Sequence, residues 1–238
     1  MRSRNIAALL AVGMAACCAP TAHADVKAVG IIKINSPQIN AALQSLSPEQ
    51  RKKMAAMGLS DKLSFTLYIS GNHIRTDIGP TSIYTDLAAH KQVIVNRTNK
   101  TMSSSPLDTA SSGDASAHII PTGKTAKILG HTAHQYKFDA ASAATGTKTS
   151  GEIWAASDIP GPQANPFGAQ LGALYSAEIS KIKGLPLKTT IKSTGGYAGE
   201  TTITGTVTSV SKNPLPARVF TVPSGYHQGS VMPMGMPG

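Results

Sequence analysis

The sequence predicts an α+β fold: a single curved antiparallel β-sheet, in effect an incomplete barrel, wrapped on two or more short helices. Three observations predict it. Leu63, Phe65, Leu67 and Ile69 alternate with Ser64, Thr66, Tyr68 and Ser70, the period-two pattern of a strand with one buried and one wetted face. Short runs of similar character recur along the chain with turn residues between them, as in a meander of locally paired strands. Two segments, near Ser47 and near Asn165, carry helix signals instead.

The first two dozen residues read as a removable address. Arg2 and Arg4 precede the apolar run Ile6 to Cys18, which is too short to span a bilayer, and Ala22-His23-Ala24 has the small-x-small form of a signal-peptidase site. The expected product is periplasmic or secreted after cleavage near Ala24; a lipoprotein anchored at Cys17 is the alternative, because Met14-Ala15-Ala16-Cys17 has some likeness to an acylation site. Without residues 1–24 the chain keeps 214 residues, 20 basic and 12 acidic side chains, a net charge of +8 and no cysteine. Disulfide, thiol-nucleophile and thiolate-metal chemistry leave together. The expected organisation is one domain over residues 25–228 and a flexible Met/Gly/Pro-rich tail over 229–238.

In chain order, residues 26–34 form a first strand around Val26, Val29, Ile31, Ile32 and Ile34. Ser47-Pro48-Glu49-Gln50 then opens a helix as a capping box with proline at its first position, and Gly58 closes it. After the strand from Lys62, Gly71-Asn72 turns the chain into strands at His73–Ile78, Ser82–Leu87 and Gln92–Asn96. Residues 103–116 are poor in large apolar groups and read as a surface loop. Lys124–Leu129, Thr132–Asp139 and Gly151–Ala156 resume the strand signal. A second helix is expected from Asn165-Pro166 to Gly184, with Phe167, Leu171 and Leu174 facing the sheet. Lys188–Lys192 and the β-branched Thr201–Val210 follow as strands, and Ala217–Val222 as a short edge strand.

Several pieces of this order are similar to a bacterial periplasmic family of unknown function with the fold of the lipoprotein carriers LolA and LolB. They are Gly71-Asn72-His73-Ile74-Arg75-Thr76-Asp77, the hairpin Gly130-His131-Thr132-Ala133-His134-Gln135-Tyr136, Glu152-Ile153-Trp154, Lys183-Gly184-Leu185-Pro186-Leu187 and Phe220-Thr221-Val222-Pro223-Ser224-Gly225-Tyr226. The resemblance spans residues 60–226. It implies an apolar cavity between sheet and helices in which relatives hold acyl chains. Phe65, Leu67, Phe138, Trp154, Phe167 and Leu171 are the expected wall of such a cavity, chosen from strand and helix periodicity. The expected function is therefore a non-enzymatic binding protein for an acyl chain, a lipid or a lipidated envelope partner, with no cofactor. An envelope structural or protein-interaction module with a filled core is the rival reading.

Chemistry-bearing patterns add little. His131 and His134 are three apart, which on a strand sends them to opposite faces, and no zincin motif accompanies them. Thr122-Gly123-Lys124-Thr125 is similar to the end of a phosphate loop but lacks the upstream glycine and lies in a strand signal. No Gly-x-Ser-x-Gly elbow is present, so the chain is not read as an enzyme. Met232, Met234 and Met236 with His227 offer soft Cu(I) ligands in the tail, the third functional alternative. Arg51, Lys52 and Lys53 on the first helix, and Lys181 and Lys183 with Lys188 and Lys192, form basic regions suited to an anionic membrane surface; nucleic acid is not the expected partner.

Overall fold

Leu63, Phe65, Leu67 and Ile69 are all buried on β2 (Lys62–Ser70), and their alternation with wetter neighbours sets the geometry of everything around them. The computed structural model describes residues 25–56, 60–107, 115–142, 146–161, 181–195 and 199–229. These residues form twelve strands of one sheet: β1 (Val26–Asn35), β2, β3 (His73–Ile78), β4 (Thr81–Asp86), β5 (Lys91–Asn96), β6 (Thr101–Pro106), β7 (Ala115–Ile128), β8 (His131–Ser142), β9 (Thr147–Ala156), β10 (Leu185–Thr194), β11 (Thr201–Ser211) and β12 (His227–Gln228). The spatial order is β12-β6-β5-β4-β3-β2-β1-β11-β10-β9-β8-β7. β7 and β12 end the order, so the sheet is open. Every pairing is antiparallel except that of β12 with β6.

Two short helices, α1 (Pro37–Ser45) and α2 (Pro48–Ala56), are inserted between β1 and β2, which makes the class α+β. The capping box of α2 forms as the sequence predicts: Gln50 N–H donates to Ser47 Oγ at 3.2 Å and Ser47 N–H to Gln50 Oε1 at 2.9 Å. Neither helix buries a residue, so the core described here is made by the sheet curling on itself. Val26, Ala28, Leu67 and Ile69 share a buried cluster with Leu185 and Leu187 of β10 and with Ile159, which follows β9. A second cluster gathers Ile119, Tyr136, Phe138, Ala155 and Ile191, and Ile203 packs against both. Each of the buried Val, Leu, Ile and Phe side chains contributes roughly 1.5–3 kcal/mol by leaving water.

Some expectations need correction. α1 has no counterpart in the sequence reading, although Pro37 opens it and Ile39, Ala42, Leu43 and Leu46 recur at helical spacing. Residues 103–106, expected in a loop, belong to β6: serines can join a ladder when a neighbour offers paired backbone, and β5 does so from Lys91 to Asn96. Ala217–Val222 is not an edge strand; Ala217–Phe220 is a 3-10 turn, entered after Pro214 and Pro216. β7 is longer than expected and contains Pro121 at a register shift, with Gly123 at φ +76°. Proline and a bulge are tolerated there because β7 is an edge strand. The expected second helix lies outside the described residues up to 180.

Candidate functional site

The register defines two faces. The inner face carries the row Ala28–Leu67–Thr76–Ile83–Ile94–Ser103 across β1 to β6, and beside it Gly30–Phe65–Ile78–Thr81–Asn96. Phe65 and Phe138 are 4% exposed and occupy equivalent settings. Phe65 is the cross-strand partner of Gly30 and Phe138 that of Gly151, and each ring lies where a Cβ on its glycine would stand. Glycine is required at both positions for lack of space.

The expected cavity wall is therefore divided. Phe65 and Leu67 sit in the first cluster and Phe138 in the second. Trp154 is corrected to the opposite face: it pairs with Gln135 and Lys188, whereas Gly151 and Ile153, of the other parity, pair with Phe138 and Tyr136. Phe167 and Leu171 lie outside the described residues. Ile83 and Ile94, placed in strands by the sequence, were not among the expected wall residues. They continue the row of Leu67 and are only half-buried, although both are strand residues of ordinary alternation.

On the outer face the row Lys27–Tyr68–Arg75–Tyr84–Val93 crosses β1 to β5. The guanidinium of Arg75 lies 5.5 Å from the Tyr68 ring centroid and 5.1 Å from that of Tyr84. It donates to both Asp77 oxygens, at 2.9 and 3.0 Å, and to the carbonyl of Val219 at 3.1 Å. Burial works against the Arg75 charge, but the hydrogen bond and the charge of Asp77 outweigh it and hold its pKa above the ordinary value. Burial pushes the Tyr84 hydroxyl up, against the opposing influence of Arg75. Through Val219 this node fastens the C-terminal strap, residues 213–229, across β3 to β6. Leu215 N–H is held by Asp25 at 2.5 Å at the strap's start, and His227 and Gly229 donate to Lys100 and Met102 carbonyls at its end. Between strap and strands runs a groove of about 450 Å³, with His73, Asp86 and Lys91 on one side and Leu215, Phe220 and Val222 on the other.

His131 and His134 do part company. His131 Nδ1 lies 2.6 Å from Asp158 Oδ2, and His134 is exposed. That hydrogen bond holds the Asp158 carboxyl below its usual range. Arg51, Lys52 and Lys53 are exposed on α2, as are Lys181 and Lys183 ahead of β10. His227 is exposed on β12, while Met232, Met234 and Met236 lie outside the described residues.

No protein-family model matches this chain, and no curated protein matches it. Among solved structures, the chain is similar to a LolA superfamily protein from Nitrosomonas europaea, over 84% of this chain and 91% of that one, at 8% identity and a TM-score of 0.35.

Proposed function

We propose that this protein is a non-enzymatic envelope binding protein that holds an apolar acyl chain, a lipid or a lipidated partner against the inner face of its open sheet. One observation carries the reading. The apolar row through Leu67 continues beyond the packed clusters to Ile83 and Ile94, which remain half-buried on a sheet with no strand closing it. Covering such side chains with an alkyl chain is favourable by about 0.8 kcal/mol per buried methylene. Phe65, Leu67 and Phe138 form the floor on this reading, and Phe167 and Leu171 are its proposed opposite wall. The signal-like residues 1–24 agree with an envelope location.

Native mass spectrometry of protein purified without detergent tests it. A stoichiometric lipid, or saturable uptake of an offered fatty acid that weakens at least about tenfold in Ile83→Lys and Ile94→Lys, is the expected result. Repeated ligand-free preparations with no uptake overturn the reading.

The filled-core module remains the second reading, favoured by the two phenylalanine–glycine pairs. Rings lying on the sheet occupy space that a ligand would need. On that reading Ile83→Lys and Ile94→Lys leave fatty-acid uptake at the background of the unaltered protein.

A further inference from the structure

The outer face falls into two parts. The strap covers β3 to β6; the part built by β8, β9, β10, β11, β1 and β2 presents a different surface. Its register gives the rows Lys137–Glu152–Thr190–Thr204–Lys33–Lys62, Asp139–Ser150–Lys192–Thr202–Asn35 and Gln135–Trp154–Lys188–Thr206–Ile31–Ser64. Lys148, opposite Thr194, lies on the same face. The six lysines 33, 62, 137, 148, 188 and 192 are all exposed, and Asp139 and Glu152 are the acids among them. Glu152 is already engaged, accepting from Gln135 Nε2 at 2.7 Å. The ion pairs of the described residues are His73–Asp86, Arg75–Asp77 and His131–Asp158, and none involves these lysines.

Two features give this charge a direction. Lys33 and Lys62 are direct cross-strand partners, an arrangement that like charges disfavour unless an anion lies over both. Half-buried Trp154 and Ile31 stand in the neighbouring row, Trp154 between Gln135 and Lys188 and Ile31 between Thr206 and Ser64, so the face mixes ammonium groups with apolar surface at one level. Six adjacent strands make a surface roughly 24 Å across, measured along the sheet.

We propose that this face docks the protein on a membrane surface of anionic phospholipid. A broad outward-facing surface with lysines spread over it meets many headgroups of such a layer at once. A single nucleic-acid strand would want a groove and successive stacking rings, and these rows carry one aromatic ring, that of Trp154. The site lies on the face opposite the inner row, so docking does not depend on whether the inner face holds a ligand. It also differs from the basic helix α2: the lysines of the sheet, rather than Arg51, Lys52 and Lys53, form the contact.

Trp154 is the only tryptophan in the sequence, so its emission reports on this face without any substitution. The full chain is mixed with vesicles of phosphatidylcholine, with and without phosphatidylglycerol, each also prepared with brominated acyl chains. Expected are co-sedimentation and bromine quenching of Trp154 with the anionic vesicles, both weakening as salt rises, and neither with phosphatidylcholine alone. Combining Lys33→Gln, Lys62→Gln, Lys188→Gln and Lys192→Gln lowers the partition constant at least about 100-fold, at about fivefold per lysine, while the triple Gln variant of Arg51, Lys52 and Lys53 loses far less. Equal binding to uncharged vesicles, sedimentation without quenching, an undiminished four-lysine variant, or tighter binding to duplex DNA than to anionic vesicles at the same salt each overturns the proposal. Should the four-lysine variant fail to fold, the quenching and salt dependence of the unaltered chain decide it. Loss of fatty-acid uptake with retained docking would count against the inner-face function alone.

Discussion

The phenyl ring of Phe138 lies over Gly151, its cross-strand partner on β9, where a Cβ would come within 2.8 Å of the ring. The carbonyl of Thr190 closes the same space from β10, and Gly30 meets Phe65 and the carbonyl of Thr206 in the same way. Two aromatic rings are thus seated in the sheet by the absence of a methyl group.

Gly151→Ala and Gly30→Ala are expected to destabilise by about 2–3 kcal/mol, the upper part of the usual overpacking range, since backbone as well as ring must move. Phe138→Leu added to Gly151→Ala should recover only part of the loss, because the Thr190 carbonyl remains. Urea denaturation of the single and double variants measures both.

Arg75→Met removes the cation between two tyrosines and leaves Asp77 without its partner under the strap. A loss of about 3 kcal/mol is expected, as for other broken, largely buried pairs. The strap should also become a proteolysis site: limited digestion cutting within residues 213–229 of the variant, with the unaltered protein spared, is the result that checks it. Replacing Asp77 with Leu as well should restore part of the melting temperature.

Ser82 is fully buried under the strap, and its hydroxyl has no hydrogen-bond partner among the described residues. Removing an unpaired buried hydroxyl relieves a desolvation cost of roughly 1–3 kcal/mol, offset in part by a small loss of packing. Ser82→Ala should therefore melt at the same temperature or higher. A fall in melting temperature would show that the hydroxyl has a partner in solution.

The carboxyl of Asp158 has a folded pKa below its ordinary value of 3.8, chiefly because His131 hydrogen-bonds it. A depressed carboxyl stabilises the fold above its unfolded pKa and loses that contribution as pH falls through the folded one. The melting-temperature difference between the unaltered protein and Asp158→Asn should hold at mildly acidic pH and shrink as pH is taken below about 3.8. A difference that grows on acidification would contradict the assignment.

Much of the sheet was legible because its strands are half-buried: Leu63 to Ile69 alternate, and His73–Ile78 appears with the bounds that its turn residues set. The capping box at Ser47 was legible for the same local reason. β6 was not, since Thr101–Pro106 has no apolar side chain beyond Met102 and owes its conformation to β5. The placement of Trp154 was hidden differently. Its neighbours are strand-like, but which face it takes depends on pairing with Gln135 and Lys188, and no local pattern states that register. Likewise Tyr68, Arg75 and Tyr84 become a ladder only when two hairpin turns bring them level, and Val219, 144 residues from Arg75, cannot be inferred from either end.

The strap also bears on the timing of assembly. Hairpins from β2 to β6 can close as soon as each is synthesised, because their partners are consecutive. The free backbone of β6 then stays an open template for other chains until His227 and Gln228, made long after it, arrive to occupy it. A chain lacking residues 227 and 228 would carry that unguarded ladder permanently, which makes His227 and Gln228 a safeguard against intermolecular pairing as much as a part of the finished molecule.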